Sequence, residues 1–207
     1  NKNITVIPNG FSVSKLEDKY CDNLELVGHP KLLTVGNVTE RKGQANVIKH
    51  LPTLKKKYPD IQYHCVGFKT QVDACIDLAK SLNVLEHVTF HGHVTHQQLN
   101  SFYENTDICV MLSETTKTGD VEGFGIALIE ANHYGVPTIG AIGCGIEDAV
   151  SNGKSGLLVD GHDSKAFLGA LTTILENKLT FEKEAKSWSV FHHWQYIIKR
   201  YIDFIDS

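Results

Sequence analysis

Two short segments of the sequence combine charged side chains with glycines, as binding sites for anionic ligands often do. The first is the loop from Val35 to Gln44, which contains Gly36, Arg41 and Lys42. Glycine lets a ligand approach the backbone closely, and free N–H groups at a following helix terminus attract anions. With two positive charges added, this loop is a candidate phosphate or diphosphate site. A turn glycine followed by solvated basic residues explains the loop equally well.

The second segment, Glu122–Ala131, has two glycines where a helix should begin and a carboxylate on each side of that point. Gly123 and Gly125 would present backbone N–H groups to a ligand. Glu130 falls in an apolar stretch, and a buried carboxylate needs hydrogen-bond donors such as sugar or ribose hydroxyls. Capping of neighbouring backbone is the alternative for Glu130. Glu122 could contact another part of the same ligand, although spacing alone slightly favours a surface position for it.

The composition and the missing fingerprints exclude several classes of function. The 207 residues include 20 basic and 24 acidic side chains, so the formal net charge is −4 and no broad cationic field for nucleic acid is expected. The loop after Val35 is neither the glycine fingerprint of NAD-binding proteins nor a P-loop for ATP. An NAD-dependent protein is therefore a weak alternative.

Short apolar runs alternate with helical patterns along the chain. The expected strands are Ile4–Ile7, Lys31–Val35, Gln62–Val66, Val88–His91, Ile108–Leu112, Pro137–Ala141 and Gly156–Val159. The expected helices are Gln44–Lys57, with a kink or break at Pro52, then Gln71–Leu82, His96–Glu104, Gly125–Tyr134, Ile146–Ser151, Ser164–Glu176 and a last one over about Glu184–Ile205. The strand runs are mostly continuous rather than alternating, which predicts strands buried on both faces of a parallel sheet. We therefore expect a doubly wound, Rossmann-like α/β domain, with ligands bound beyond the carboxyl ends of the strands.

The cysteines and the apolar segments indicate the compartment. The five cysteines are an odd number without C-x-x-C spacing, and three lie in apolar runs, so we expect reduced, buried thiols in a cytoplasmic protein. No signal peptide or membrane-spanning run is evident. The chain starts at Asn1 without a methionine, from which we expect an excised fragment.

The order and spacing of these motifs resemble a known family. Glu122 and Glu130 form the E-x7-E signature of retaining GT-B glycosyltransferases, as in family 4 (glycosyl transferases group 1). The other matching segments are Val6–Gly10, Val35-Gly36 with Arg41–Gly43, Val66-Gly67, Val88–Val94, Gly135–Pro137 and Gly153–Val159. Each motif is weak alone, but together they cover nearly the whole chain in the family's order. The resemblance implies the C-terminal, donor-binding half of such an enzyme.

The resemblance also implies roles for individual residues. Lys42 would bind the donor diphosphate and stabilise the leaving group, Glu122 would contact the donor sugar, and Glu130 would hold the ribose hydroxyls; of these, Lys42 and Glu122 would be catalytic. The other donor-binding residues it implies are Gly36, Asn37, Arg41, Gly92, His93, Val94, Gly123, Phe124, Gly125 and Ile126. The Gly92–Val94 backbone would lie near the base. One departure is Asn37, where the family often has arginine, which weakens the expected two-cation clamp unless Arg41 compensates.

The implied reaction is transfer of a sugar from a UDP- or GDP-sugar, with retention, to an acceptor such as a growing glycan or a lipid-linked saccharide. A non-catalytic nucleotide-sugar-binding module and an epimerase of the same fold remain alternatives. No cofactor or metal is expected, because Lys42 and helix N-termini would carry the charge stabilisation and the chain has no D-x-D motif. His91, His93 and His96 could bind a metal, but no carboxylate or thiol lies nearby in the sequence, so we expect none there.

The last helix of the chain is expected to cross over to the other half of such an enzyme. We predict a donor-binding domain over residues 1–183 and a crossover helix over 184–207, with the N-terminal acceptor domain outside this chain and the fragment inactive alone. Phe191, Trp194, Ile198, Tyr201 and Ile205 form an apolar stripe on that helix. We expect the stripe to pack on protein, with peripheral association at the inner face of the membrane as the alternative.

Overall fold

The computed structural model describes residues 4–12 and 25–206, in which strands and helices alternate. The strands are β1 (Lys31–Val35), β2 (Gln62–Val66), β3 (Val88–Gly92), β4 (Ile108–Met111), β5 (Thr138–Ala141) and β6 (Gly156–Val159). The helices are α1 (Gln44–Leu54), α2 (Val72–Ser81), α3 (His96–Glu104), α4 (Ile126–His133), α5 (Ile146–Ala149), α6 (Ser164–Glu176), α7 (Lys178–Val190) and α8 (Trp194–Ile205), with a 3-10 turn at Leu85–His87.

The six strands form one parallel sheet in the order β3-β2-β1-β4-β5-β6. β1 pairs with β2 along its whole length, from Lys31 opposite Gln62 to Val35 opposite Val66, and its other edge pairs with β4. The chain builds the sheet outward from β1 to β3, returns to β4 and then builds outward in the other direction. A crevice opens at the carboxyl ends of β1 and β4, where the direction reverses. The expected doubly wound, Rossmann-like fold is confirmed.

Helices cover both faces of the sheet, which explains why the strand sequences are apolar without alternation. All residues of β4 and β5 are buried. One core layer joins the sheet to α1, α2 and α6 through residues such as Ile48, Leu51, Ala79, Phe167 and Leu171. The other layer joins it to α3, α4 and α5 through residues such as Phe102, Tyr103, Leu128, Ala131 and Ile146.

Three sequence-based expectations about the elements are wrong. Ile4–Ile7 is not a strand, and Ile4 and Val6 are largely exposed there. The last helical pattern is two helices rather than one, because the backbone of Phe11 accepts from Trp194 N and donates to His192 O, which diverts the chain between α7 and α8. The expected break at Pro52 is absent from α1, since Leu51 O still accepts from Lys55 N at 2.9 Å beyond it, whereas the alternative of a kink stays a prediction.

The described cysteines are free thiols. Cys65, Cys75 and Cys109 are buried and Cys144 is half-buried, whereas Cys21 lies outside the described residues. Burial raises the pKa of the Cys65 and Cys109 thiols. These thiols are therefore protonated packing groups in this fold.

None of the helices in the described part of the chain combines the length and the apolar character that crossing a membrane would require.

Two histidines on neighbouring strands should make the fold sensitive to acid. His64 Nδ1 lies 3.0 Å from His91 Nε2 beneath α3, and burial lowers the pKa of both, that of His91 to about 4 from an ordinary 6.5. The charge of Lys31 lowers the pKa of His64 further, and the charge of Lys69 does the same for His91. The unfolded chain therefore binds more protons between pH 6.5 and 4, so stability falls as the pH falls through this window.

We expect the His91→Gln variant to lose about 1 kcal/mol less stability than the wild type between pH 7 and pH 5. Urea unfolding at the two pH values measures this difference, with the exposed His96→Gln as the control that should behave as the wild type. Equal losses in the wild type and in His91→Gln would contradict the assignment of this acid sensitivity to His91.

Candidate functional site

The loops that follow β1 and β4 flank the crevice where the sheet reverses direction. The β1 loop leads into α1 at Gly43, and no side chain caps the start of that helix. The β4 loop leads into α4 at Gly125, and no side chain caps that start either. Two helix N-termini without side-chain caps thus follow the two strands that border the crevice, which is a favourable arrangement for an anion.

The β1 loop is braced from inside by a residue that the sequence analysis missed. The buried side chain of Gln44 donates to Asn37 O at 3.1 Å and accepts from Thr39 N at 3.3 Å. Asn37 is exposed, and its side-chain oxygen accepts from Phe68 N at 3.4 Å. Asn37 therefore ties the β1 loop to the loop after β2. In the sequence, the only signal was a glutamine directly after a glycine at the start of a helical pattern.

A compact ion cluster lies between the two loops. Glu122 Oε2 is 2.8 Å from Lys42 Nζ and also contacts Arg41 Nη1. The Glu122 side chain is only 10% exposed, against 17% for Lys42 and 27% for Arg41. The surface position that spacing slightly favoured for Glu122 is therefore wrong: its two cationic partners pull the carboxylate inward, since a buried charge needs such partners.

Lys42 also reaches across the loop that carries it. A methyl group added at Gly36 would lie 3.1 Å from Lys42 Cε, so the lysine stem passes directly over this glycine. The ammonium group thus lies close to the opening beyond β1, where the sequence predicted a phosphate. Gly36, Arg41 and Lys42 are brought together as expected.

A hydrogen-bonded turn in the β4 loop holds Arg41 from the other side. Thr116 N donates to Asp120 O at 2.9 Å, and Asp120 N donates back to Thr116 Oγ1 at 3.0 Å. The turn presents Asp120 Oδ2 at 3.1 Å from Arg41 Nε. Arg41 O in turn accepts from Glu114 N at 3.2 Å. The β4 loop therefore holds both the backbone carbonyl and the guanidinium group of Arg41.

The segment from Glu122 to Ile126 leads from the ion cluster into α4. Gly145 N donates to Glu122 O at 2.9 Å, so the loop after β5 supports the backbone on which Glu122 stands. Gly123 is exposed, whereas Phe124 is buried in a small cluster that also contains Ile129. The side chain of Phe124 serves packing, so Phe124 could meet a ligand at the crevice only through its backbone.

Glu130 lies one helical turn deeper, in α4. Its carboxylate accepts from the hydroxyl of Tyr103 on α3 at 3.0 Å, and the side chain is half-buried. A tyrosine hydroxyl is therefore one of the hydrogen-bond donors to this carboxylate. Contact of Glu130 with ribose hydroxyls stays a prediction.

A cavity of about 290 Å³ adjoins the ion cluster on the β2–β3 side. It is lined by Val35, Gly36, Asn37, Val66, Gly67, Phe68, His93, Val94, Thr95, His96 and Leu99. His93 stacks on Phe68 with ring centroids 4.8 Å apart, while His91 packs edge-on against Phe102. Two of the three histidines expected as weak metal candidates, His91 and His93, thus pack on different aromatic rings. Within the described residues, no three His, Cys, Asp or Glu side chains are grouped to hold a metal ion.

Known proteins resemble this chain in sequence over most of its length. The family model described as "Glycosyl transferases group 1" matches residues 21–189. A GDP-mannose-dependent alpha-(1-6)-phosphatidylinositol monomannoside mannosyltransferase of Mycolicibacterium smegmatis is 32% identical over 167 residues, which are 80% of this chain and 43% of the relative. Glycogen synthase of Mycobacterium tuberculosis is 28% identical over 184 residues, or 89% of this chain and 42% of the relative.

Solved structures share the fold. Sucrose-phosphate synthase from Thermosynechococcus elongatus superposes with a TM-score of 0.76 at 25% identity, over 97% of this chain and 51% of the other. Anabaena HepE in complex with UDP and glucose has a TM-score of 0.78 at 19% identity, over 98% of this chain and 56% of the other.

This chain therefore spans less than half the length of the curated relatives named here. The family model covers most of the chain, and the six-stranded parallel sheet superposes on those structures. The chain accordingly belongs to the glycosyl transferases group 1 family and has the fold of the C-terminal half of a GT-B glycosyltransferase.

Proposed function

We propose that this domain binds a nucleotide diphosphate sugar in the crevice and that the full-length protein transfers the sugar with retention to an acceptor. One observation carries the proposal: Lys42, Arg41 and Glu122 form a half-buried cluster in the crevice between two helix N-termini that lack side-chain caps. Cations and free amides suit a diphosphate, and a carboxylate suits sugar hydroxyls.

The same residues can support the chemistry of transfer. Departure of the nucleoside diphosphate leaves negative charge on its phosphate oxygens, and preorganised cations in a water-poor crevice stabilise that charge. Lys42 and Arg41 would serve this purpose in place of a divalent cation. The diphosphate would replace Glu122 as their counter-ion, and the carboxylate would then be free to bind the donor sugar.

Relatives suggest which class of donor this domain would bind, and their greater length suggests that the acceptor would be bound elsewhere. The Mycolicibacterium smegmatis relative is named as GDP-mannose-dependent, and HepE was solved with UDP. We propose a UDP- or GDP-sugar as donor and a growing glycan or lipid-linked saccharide as acceptor, on the cytoplasmic side of the membrane. The acceptor would be bound mainly by an N-terminal domain, which the partial coverage of the longer relatives supports.

The last helix supports this division between two domains. Only Ile197 of α8 is buried, whereas Trp194, Ile198, Tyr201 and Ile205 of the predicted stripe are exposed. An apolar face of this size needs a partner surface. We propose that it packs on the acceptor domain of the full-length protein, so that this chain alone binds donor and transfers little or nothing.

Calorimetric titration of this chain with UDP and GDP tests the proposal. We expect the wild type to bind at least one of them, and Lys42→Ala to weaken that binding about tenfold to 150-fold, the range for losing a hydrogen bond to an ionised group. Lys49→Ala is the matched control, because it removes an exposed charge from α1, the helix that follows the loop carrying Lys42. It should bind as the wild type does.

The proposal fails if neither nucleotide binds the wild type. It also fails if Lys42→Ala and Lys49→Ala bind with the wild-type affinity, since the cation at the opening beyond β1 would then have no part in nucleotide binding.

A further inference from the structure

The segment that carries Glu122 has no regular structure of its own. Residues 112–125 form neither helix nor strand, and Gly123 and Gly125 leave the backbone beside Glu122 free to adopt many conformations. A carboxylate on such a segment keeps its place only if neighbouring parts of the fold hold the backbone. The groups that hold this backbone are therefore part of the site.

Phe124 anchors the segment in the core, and the ring of His192 lies against it. Phe124 is buried in a cluster that also contains Phe11 and Ala149. His192, in the turn between α7 and α8, is only 2% exposed, and its ring centroid is 5.8 Å from that of Phe124. Removing the His192 ring would thus leave a space beside Phe124 into which the segment could shift.

Trp188, near the end of α7, holds the same segment by a second route. Its indole Nε1 donates to Ala149 O at 2.9 Å, at the last residue of α5. The start of α5 abuts the backbone of Glu122, since a Cβ atom added at Gly145 would lie only 2.8 Å from Glu122 O. Because α5 has only 4 residues, a contact that fixes its end also fixes its start.

Trp188 and His192 form one unit that lies apart from the donor crevice. Their ring centroids are 4.8 Å apart, and His192 Nδ1 donates to Trp188 O at 3.2 Å. Burial lowers the pKa of His192, so its ring is neutral near pH 7 and acts by packing. Both residues line a separate cavity of about 420 Å³, which shares no lining residue with the 290 Å³ cavity.

We propose that Trp188 and His192 are positioning residues for Glu122: they clamp its segment so that the carboxylate stays beside Lys42 and Arg41. This inference rests on the proposed donor binding and adds to it the residues that hold the acidic partner of the two cations. Without the clamp, Glu122 would pair less well with these cations, and a diphosphate would compete for them with less opposition.

A double-mutant cycle on this chain tests the clamp, with UDP and GDP as ligands in calorimetric titrations. With Glu122 present, His192→Ala should tighten binding of the nucleotide that the wild type binds by about three- to tenfold, a usual range for coupled residues. In the Glu122→Gln background, the same substitution should change the affinity by less than about twofold, as independent sites do.

Two further variants separate the clamp from general stability. His192→Phe keeps a neutral ring beside Phe124 and should restore the wild-type affinity. Leu171→Ala is the matched control, because it also removes a buried side chain but lies in the core layer on the other face of the sheet. Its effect on nucleotide affinity should be the same with Glu122 and with Glu122→Gln.

Trp188→Phe keeps the test decisive if His192→Ala does not fold. It retains a ring and removes only the indole N–H that Ala149 O accepts. It takes the place of His192→Ala in the cycle, and it should again tighten nucleotide binding more when Glu122 is present than in the Glu122→Gln background.

Two outcomes overturn the clamp and leave the proposed function standing. One is an equal effect of the clamp variant in the two backgrounds, and the other is a His192→Phe variant that binds nucleotide as His192→Ala does. If the wild type binds neither UDP nor GDP, the proposed function fails together with the clamp.

Discussion

Replacing Glu122 by glutamine should tighten the binding of UDP or GDP and at the same time strongly slow sugar transfer by the full-length protein. In the unliganded fold, Glu122 pairs with Lys42 and Arg41, so a diphosphate must compete with the carboxylate for both cations. Glutamine is close in shape but carries no charge, which leaves the cations available to phosphate. The sugar, however, loses the carboxylate that we propose to hold it.

The magnitudes of the two effects differ. Loss of one preorganised electrostatic contact in a transition state costs about 100- to 1,000-fold in rate. The gain in affinity for UDP or GDP should be smaller, about two- to tenfold, because both cations are partly exposed and solvent screens part of their charge. The variant should also be less stable than the wild type without nucleotide, since two partly buried cations lose their partner, and should recover stability when nucleotide binds.

Asp120→Asn is the matched control for this experiment. It removes another carboxylate partner of Arg41, but Asp120 is 64% exposed and an exposed ion pair contributes only about 0–1 kcal/mol. Its transfer rate and nucleotide affinity should stay close to those of the wild type. If Glu122→Gln transfers sugar at the wild-type rate, the proposed role of Glu122 is excluded, and a domain that binds nucleotide without catalysing transfer becomes the better explanation of the crevice.

Most of the fold could be predicted because its determinants are local. Continuous apolar runs such as Ile108–Met111 identify strands buried on both faces, and their alternation with helical patterns implies a parallel sheet. The failures have non-local causes. The backbone of Phe11 interrupts the last helical pattern at His192 and Trp194, a contact between residues about 180 positions apart that no local pattern reveals.

At the candidate site, too, the features with local causes could be predicted and those with non-local causes could not. The glycines and the charges of its two loops could be read from spacing, and the resemblance supplied their roles. The burial of Glu122 could not, because it depends on Arg41 and Lys42, which approach it only when β1 and β4 become neighbours. Gln44 and Phe68 were missed for the same reason: one braces a loop and the other lines a cavity that exist only in the folded chain.

Gly43→Ala should be the most destabilising single change at the site. Gly43 is the N-cap of α1, with φ +72°, a conformation that other residues adopt only under strain. A Cβ atom there would lie 1.8 Å from Leu112 O and 2.9 Å from Ser113 N, and these are backbone atoms that cannot rotate away. The start of α1 would have to move off the end of β4, which would pull Lys42 away from Glu122.

We expect Gly43→Ala to lower the free energy of unfolding by about 3 kcal/mol or more, through backbone strain and overpacking together, and to weaken UDP or GDP binding even where the protein still folds. Gly153→Ala separates the two causes: Gly153 also has a positive φ, +79°, but a Cβ atom there meets nothing within 4 Å. That variant should lose only about 1–2 kcal/mol, the cost of the left-handed conformation alone. Urea unfolding of both variants measures the difference. If the two lose equal stability, the close contact of α1 with the end of β4 is not what fixes the crevice, and the placement of Lys42 must have another cause.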